Sequence, residues 1–323
     1  MRRAAVTVLA LALVGGTTAA FVVTERLKLE RSPVTAPRFD KVFSPVCECP
    51  QSMARLTLRL RKGDRIDAVI VDRKGKPVRT LVTGESQGRG DVTFLWDGRA
   101  DAGEVVPDAR YRLRIHLRAQ RRTILLPNTV LVDTKPPRLE LLEVSRSVIS
   151  PDGNGVNDRL RIVYRSNEKA GALLLVDGSA IIEGRARPPG RSTLFWRGTI
   201  GGAPAETGVY ELSLRVRDTA GNLSRPAEAG PVRIRFVELL KDVLAVPRGG
   251  LLRFRVVTDA FPYSWSLAYD TRHGQELRME AAERRNAVAV RIAKDAIPGD
   301  YELEVEAVGH DDTAVVSITK ASR

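Results

Sequence analysis

Beyond residue 50, apolar and polar residues alternate with a period of two along much of the chain. Leu56, Leu58 and Leu60 are separated by Thr57 and Arg59, and Tyr111, Leu113, Ile115 and Leu117 by Arg112, Arg114 and His116. The alternation returns in Tyr210, Leu212, Leu214 and Val216. It returns again in Tyr301, Leu303 and Val305, where Glu302, Glu304 and Glu306 take the polar positions. Successive side chains of a strand point to opposite faces, so this pattern predicts sheets with one buried and one solvated face. An amphipathic helix would need a 3.6-residue repeat held over several turns. The best short candidate, Glu276 to Arg285, reads equally well as loop and strand.

One stretch breaks the alternation. Met1-Arg2-Arg3 leads into an uncharged apolar run from Ala4 to Val23, long enough as a helix to cross a hydrocarbon core of about 30 Å. Thr18-Ala19-Ala20 has the small residues of a signal cleavage site. However, Phe21-Val22-Val23 carries the apolar run past it, and charge resumes only at Glu25. The expectation is an uncleaved signal anchor and flank over residues 1–31, with a cleaved, secreted form as the alternative. The few residues ahead of the run cannot fold, so the long C-terminal part is the portion expected outside, in a single-pass membrane protein with a cytoplasmic N-terminus. Ser32 to Pro37, reading SPVTAP, suits a short extended stalk.

Turn signals then reveal a repeat. Phe43-Ser44-Pro45 and Ile149-Ser150-Pro151 open two units 106 residues apart. Each unit later carries a Trp-x-Gly, at Trp96-Asp97-Gly98 and Trp196-Arg197-Gly198. A tyrosine follows after 15 residues in the first and 14 in the second, and opens what reads as the unit's terminal strand. Pro136-Pro137 stops the first unit, and a strand near Val232 to Phe236 ends the second. These landmarks predict β modules over 38–135 and 136–236. The remainder, 237–323, has strands around Leu251 to Val257 and Ala287 to Ile292. Its Pro298-Gly299-Asp300-Tyr301 echoes Thr207-Gly208-Val209-Tyr210, but it lacks Trp-x-Gly. It reads as a third immunoglobulin-like sandwich with Trp265 in its core. The expected fold class is all-β: tandem immunoglobulin-like β-sandwiches behind one N-terminal transmembrane helix.

The run Trp96-Asp97-Gly98-Arg99-Ala100-Asp101-Ala102-Gly103, followed by Val106-Pro107 and Tyr111, resembles the end of the immunoglobulin-like domain of flagellar hook-capping scaffolds, the FlgD-like Ig domain. Ser150-Pro151-Asp152-Gly153-Asn154-Gly155-Val156-Asn157-Asp158 is similar to the start of that module class and of the C-terminal domains of gliding-motility-type surface proteins. The resemblance spans residues 39–236 and implies a sandwich fold in an extracytoplasmic setting. A fold alone does not name a function. The sequence departs from the pattern where Cys47-Glu48-Cys49-Pro50 replaces an acidic, glycine-rich loop, and where Arg197 replaces the aspartate between Trp and Gly. Nothing resembles the hook-associating N-terminal part of a hook cap.

Composition adds charge to this picture. The 323 residues include 52 basic and 39 acidic side chains, a formal net charge of +13, and 42 of the 52 are arginine. Leaving out residues 1–31, with five basic and two acidic residues, the rest stands at +10. Because the cations alternate with apolar residues, much of this charge reads as solvated sheet face. The other reading is contact with an anionic polymer or lipid head groups. Aromatic residues are 5% of the chain, too few for stacking platforms, and no nucleic-acid motif is present, so no nucleic-acid partner is expected.

Candidate chemistry is sparse. Asp152, Asn154, Asn157 and Asp158 offer several oxygens around Gly153 and Gly155, as a calcium loop would. The same residues also suit an Asx-rich turn, and no bidentate glutamate completes an EF-hand. Cys47 and Cys49 are the only cysteines. They allow a local disulfide, bridges to another chain, or two thiols. His116 falls on a polar strand face and His310 in a hairpin turn, while Glu302, Glu304 and Glu306 read as solvated edge charges. No nucleophile elbow, HExxH, phosphate loop or dinucleotide fingerprint occurs, so the chain reads as a non-enzyme without a cofactor, calcium aside. The expected function is a membrane-anchored spacer and interaction platform at the bacterial cell envelope, meeting an envelope protein or a wall polymer. The alternatives are a carbohydrate- or anionic wall-polymer-binding protein and a flagellar hook-assembly scaffold.

Overall fold

The computed structural model describes residues 12–18, 32–269 and 278–320. Among them no helix is long and apolar enough to cross a membrane. The expected anchor helix lies mostly outside the described residues, of which only 12–18 are helical there. The chain divides into two compact units, Met1–Thr134 and Lys135–Arg323.

The first unit holds one module of eight strands: β1 (Val34–Phe39), β2 (Val42–Phe43), β3 (Ala54–Leu60), β4 (Asp64–Val71), β5 (Pro77–Gln87), β6 (Gly90–Trp96), β7 (Arg110–Leu117) and β8 (Arg122–Val132). They form a three-stranded sheet, β1-β3-β6, and a five-stranded sheet, β2-β8-β7-β4-β5. All neighbours are antiparallel except the short β2, which runs parallel to β8. The alternating residues do what their period requires. Leu56, Leu58, Leu60, Leu113, Ile115 and Leu117 are buried between the two sheets, with Trp96 and Phe94 closing the core.

Two expectations change here. The stretch 32–37 is not a free stalk: Val34 pairs with Leu60 and Phe39 with Leu56 in the three-stranded sheet. The register slips between Thr35 and Arg38, where Ala36 takes a left-handed φ of 48° and Pro37 has no N–H for the ladder. Proline is tolerated because β1 is an edge strand. The tyrosine strand β7 is also not terminal, since β8 follows it and β7 lies in the middle of its sheet.

The second unit contains two more modules. The first has β9 (Leu139–Val144), β10 (Val148–Ile149), β11 (Leu160–Ser166), β12 (Ala170–Val176), β13 (Ser179–Glu183), β14 (Gly190–Trp196), the small hairpin β15 (Thr199–Ile200) and β16 (Ala203–Pro204), then β17 (Gly208–Asp218) and β18 (Ala227–Ile234). Its sheets are β14-β11-β9 and β10-β18-β17-β12-β13. The last module has β19 (Val237–Leu239), β20 (Val243–Pro247), β21 (Leu251–Thr258), β22 (Tyr263–Ala268), β23 (Arg278–Glu283), β24 (Ala287–Arg291), β25 (Gly299–Ala307) and β26 (His310–Thr319). It pairs as β19-β21-β24 and β20-β26-β25-β22-β23.

Apart from the β15–β16 hairpin, the three modules share one strand order, and the second strand of each lies parallel to its last. The third module, which lacks the Trp-x-Gly landmark, therefore repeats the frame strand for strand. Its core is built on Trp265, Tyr263, Tyr301, Leu303 and Val305. The region read as a possible short helix at 276–285 supplies β23. Glu302, Glu304 and Glu306 are not on an edge: β25 is central, paired to β22 on one side and β26 on the other.

Candidate functional site

The residues that repeat between the first two modules are framework. Trp96 and Trp196 are almost fully buried, and each donates its indole N–H to a backbone carbonyl three residues on, Arg99 O at 3.0 Å and Thr199 O at 3.0 Å. The intervening turn needs a left-handed residue, supplied by Gly98 (φ 70°) and Gly198 (φ 64°). Trp96 packs against Phe43 at 5.5 Å and edge-on against Tyr111 at 5.1 Å, while Trp196 meets Tyr210 at 6.3 Å. All three modules share a tyrosine anchor. Tyr111, Tyr210 and Tyr301 donate their hydroxyls to the carbonyls of Pro107, Glu206 and Ile297 at 2.8, 2.9 and 2.9 Å. Burial, the largest influence in each case, raises all three phenols above their ordinary value.

The loop between the second and third strands differs between the first two modules. In the first module Cys47 and Cys49 form a disulfide with their Cα atoms 5.2 Å apart, so the intrachain reading of the pair is the one seen. A single 3₁₀ turn, Pro50–Ser52, follows. In the second module the loop is the Asx-rich segment. Asp158 accepts N–H groups from Gly153 at 2.8 Å and Gly155 at 2.6 Å. Asp152 accepts the Asn154 N–H at 2.9 Å and the Asn154 side-chain amide at 2.8 Å, and Asn154 Oδ1 accepts from Val156 N at 2.6 Å. Asn157 takes a left-handed φ of 54° and its Oδ1 accepts from Arg146. The four residues proposed as calcium ligands are thus brought together, with their side-chain oxygens already engaged by N–H donors as an Asx turn requires.

The loop reaches a residue that linear reading missed. Asn157 donates to the Asp259 carboxylate at 2.7 Å, and Asn154 donates to the Asp259 carbonyl at 2.7 Å. Asp259 follows β21 in the third module, 102 residues from Asn157, so no local spacing signals it. Burial, with Asp259 and Asp158 nearby, raises the Asp152 carboxyl, while the Asn154 N–H works the other way. The second and third modules are also joined where Thr258 donates to Phe236 O at 2.7 Å and the His310 ring stacks on Phe236 at 3.7 Å. His310 therefore packs as an aromatic plate. His116 shares a hydrogen bond of 2.9 Å with Thr123 across neighbouring strands.

In the first module, Asp64 is buried and accepts from Ala119 N, Gln120 N and Gln120 Nε2. Burial is the strongest single influence on it and pushes upward, yet these hydrogen bonds together hold its carboxyl below the usual range. Asp67 accepts Arg118 Nη2 at 2.7 Å and Gly84 N at 2.7 Å. Its hydrogen bond to Arg118 does most to depress its pKa. In the third module Tyr263 donates to Arg285 O at 2.7 Å, and burial, then Glu283, pushes its phenol up to about 12. These groups tie turns to strands, Asp64 and Asp67 both holding the turn after β7 to β4.

Comparison with known proteins bears on the first module. A family model described as FlgD Ig-like domain matches residues 54–120. The chain is 42% identical over 53 residues to the basal-body rod modification protein FlgD of Salmonella typhimurium, and equally to that of Salmonella typhi. The match covers 16% of this chain and 22% of either relative. Among solved structures, the fibronectin(III)-like modules of Clostridium thermocellum CbhA align over 62% of this chain and 92% of theirs at 18% identity and a TM-score of 0.34. The titin I-band fragment I67–I69 aligns over 89% and 100% at 15% identity and a TM-score of 0.28. At such scores these alignments carry no functional meaning. Residues 54–120, within the first module, thus match the FlgD Ig-like domain.

Proposed function

We propose that this chain is a non-enzymatic protein of the bacterial cell envelope, held to the membrane by its N-terminal apolar run, with three sandwich modules outside acting as spacer and interaction platform. The observation that carries this reading is the repetition of one 3+5 strand frame three times while corresponding loops differ. The loop after the second strand is a disulfide turn in the first module and an Asx turn reaching Asp259 in the second. A rigid repeated scaffold with variable loops suits presentation of surfaces rather than turnover of a substrate. The Cys47–Cys49 disulfide supports an oxidising compartment. The match to FlgD spans a single domain, so it supports a shared building block and not a shared role in flagellar assembly.

Protease added to spheroplasts of the producing cell tests the reading. The modules are expected to be degraded while a cytoplasmic marker survives, and the protein is expected to stay with the membrane through a high-salt wash. Modules protected alongside the cytoplasmic marker would overturn it. A second reading, binding of an anionic wall polymer, is favoured by the arginine row Arg110, Arg112 and Arg114 on the outer side of β7. It predicts binding to purified cell wall at low salt that disappears at high salt.

A further inference from the structure

The middle strand of the five-stranded sheet is the same strand in each module: β7, β17 and β25. Its inward residues scarcely change, since each strand sends a tyrosine and then aliphatic residues to its core. Its outward residues change sign. On β7 they are Arg110, Arg112, Arg114 and His116; on β17, Glu211, Ser213, Arg215 and Arg217; on β25, Glu302, Glu304 and Glu306. Whole modules follow the same order. Residues 32–135 hold 20 basic and 12 acidic side chains, a balance of +8. Residues 136–236 hold 15 and 11, or +4, and residues 237–323 hold 12 and 14, or −2.

Each extreme is concentrated into a patch. Arg112 donates to Arg73 O at 3.1 Å and Arg114 to Gly75 O at 3.4 Å. These contacts draw the β4–β5 turn, with exposed Arg73, Lys74 and Lys76, beside the β7 row. The acid in that turn, Asp72, is occupied by the N–H groups of Lys74 and Lys76. Among the described residues, Arg110, Arg112 and Arg114 have no carboxylate partner. In the third module the neighbours of Glu304 and Glu306 on β22 are the small Ser266 and Ser264, and beyond these on β23 stand Glu280 and Ala282. They line an open trough of about 410 Å³ between Glu280, Glu304 and Glu306. Asp311 stands opposite Glu306 on β26. Among the described residues, Glu302, Glu304 and Glu306 have no cationic partner.

We propose that these two faces bind each other between copies of the chain, the basic β7 face of one copy docking on the acidic β25 face of the next. Alternate residues of a strand stand about 6.6–6.8 Å apart, so an arginine row and a glutamate row share one repeat and pair in step. The small floor of Ser264, Ser266 and Ala282 leaves room for guanidinium groups, which meet carboxylates in a planar, bidentate fashion. Single exposed pairs contribute little, but several opposed charges fix register and speed encounter. Because the two patches differ, a copy engaged through one face still offers the other, so the pairing either closes two copies reciprocally or runs on through further copies. The inference rests on the platform reading only in naming one partner. A protein that fails to self-associate yet remains outside the membrane would sink this inference alone.

Sedimentation velocity of the purified full chain in non-ionic detergent tests it. The wild type is expected to grow in size with concentration at about 0.05 M salt and to revert to monomer at about 0.5 M, where the screening length falls to a few ångströms. R112E/R114E and E304R/E306R are each expected to shift half-association upward by roughly tenfold or more, since like charges then face each other. An equimolar mixture of the two variants is expected to regain association, because each now carries the face its partner lacks. R110E/K76E, which spares the hydrogen bonds to the β4–β5 turn, should repeat the first variant's loss. A wild type that stays monomeric at low salt overturns the proposal, as does a mixture that regains nothing. So does a wild type that binds polyphosphate or anionic vesicles through Arg112 and Arg114 without self-associating.

Discussion

A Cβ placed on Gly98 would lie 2.7 Å from the Cβ of Pro45, closer than real side chains approach. The second module repeats the relationship, with a Cβ on Gly198 falling 2.8 Å from Cγ of Pro151. The Ser-Pro that opens each unit and the Trp-x-Gly near its middle are therefore two sides of one contact at the end of the sandwich. Both glycines also have left-handed φ angles, 70° and 64°. Glycine is fixed twice over, by conformation and by the approach of the proline ring.

Gly98→Ala is accordingly expected to destabilise the first module by about 2–4 kcal/mol, combining the cost of a left-handed alanine with overpacking against Pro45. Gly198→Ala should do the same in the second module. Chemical denaturation of each variant would show the loss in one transition only. Losses below about 0.5 kcal/mol, the scale of an ordinary surface substitution, would mean that the turn rearranges.

Asp67 gives the first module an acid-sensitive tie. Its folded pKa is held down chiefly by Arg118, so the stabilisation is complete above the unfolded carboxylate value of about 3.9. It fades as pH falls through the lower folded value. Asp67→Asn is expected to cost about 1 kcal/mol at pH 7, a modest figure because Arg118 is exposed and screened by solvent. The gap between variant and wild type should narrow as the pH falls below the unfolded value of about 3.9 and through the lower folded one. A gap that persists undiminished there would assign the loss to packing.

The frame was legible in the sequence because a period of two has one structural meaning: Leu56, Leu58, Leu60, Leu113, Ile115, Leu212, Leu214 and Leu303 are all buried. The third module was harder to place because its Trp265 sits on β22, far from where Trp96 and Trp196 sit, and its kinship lies in strand order and in the Tyr301 anchor. At 32–37 two prolines imitate a linker, whereas the edge strand β1 accepts proline at a bulge. The central place of the Glu302–Glu306 row is hidden from the sequence because alternation reports which face a residue takes and is silent on which strand lies next to it. Asp259 and the β4–β5 turn beside Arg112 depend on long-range register, which no local pattern encodes.

The Asx loop yields a prediction about calcium. Both carboxylates, Asp152 and Asp158, already accept N–H groups at 2.6–2.9 Å, so the loop is closed by its own hydrogen bonds without an ion. Millimolar calcium is expected to leave the thermal midpoint of the second unit unchanged. A rise of several degrees that Asp158→Asn abolishes would establish a calcium site at Asp152, Asn154, Asn157 and Asp158.

Alkaline titration separates the three tyrosine anchors from the rest of the fold. Each hydroxyl donates to the carbonyl four residues before it, and burial raises each phenol. A raised pKa on an acid means that the unfolded chain ionises first. Stability is therefore flat below the unfolded tyrosine value of about 10 and falls as pH rises above it, until the folded phenol ionises too. Tyr301→Phe and Tyr111→Phe remove both effects. At pH 8 they are expected to cost about 1 kcal/mol by leaving Ile297 O and Pro107 O without their donor. Between about pH 10 and 11 that deficit should shrink, because phenylalanine has no proton to lose in either state. Tyr210 is less buried, so water can replace its hydroxyl and Tyr210→Phe should cost less than either. Urea denaturation of the three variants at the two pH values checks the order, and equal losses that do not change with pH would place the contribution in ring packing instead of in the hydroxyl.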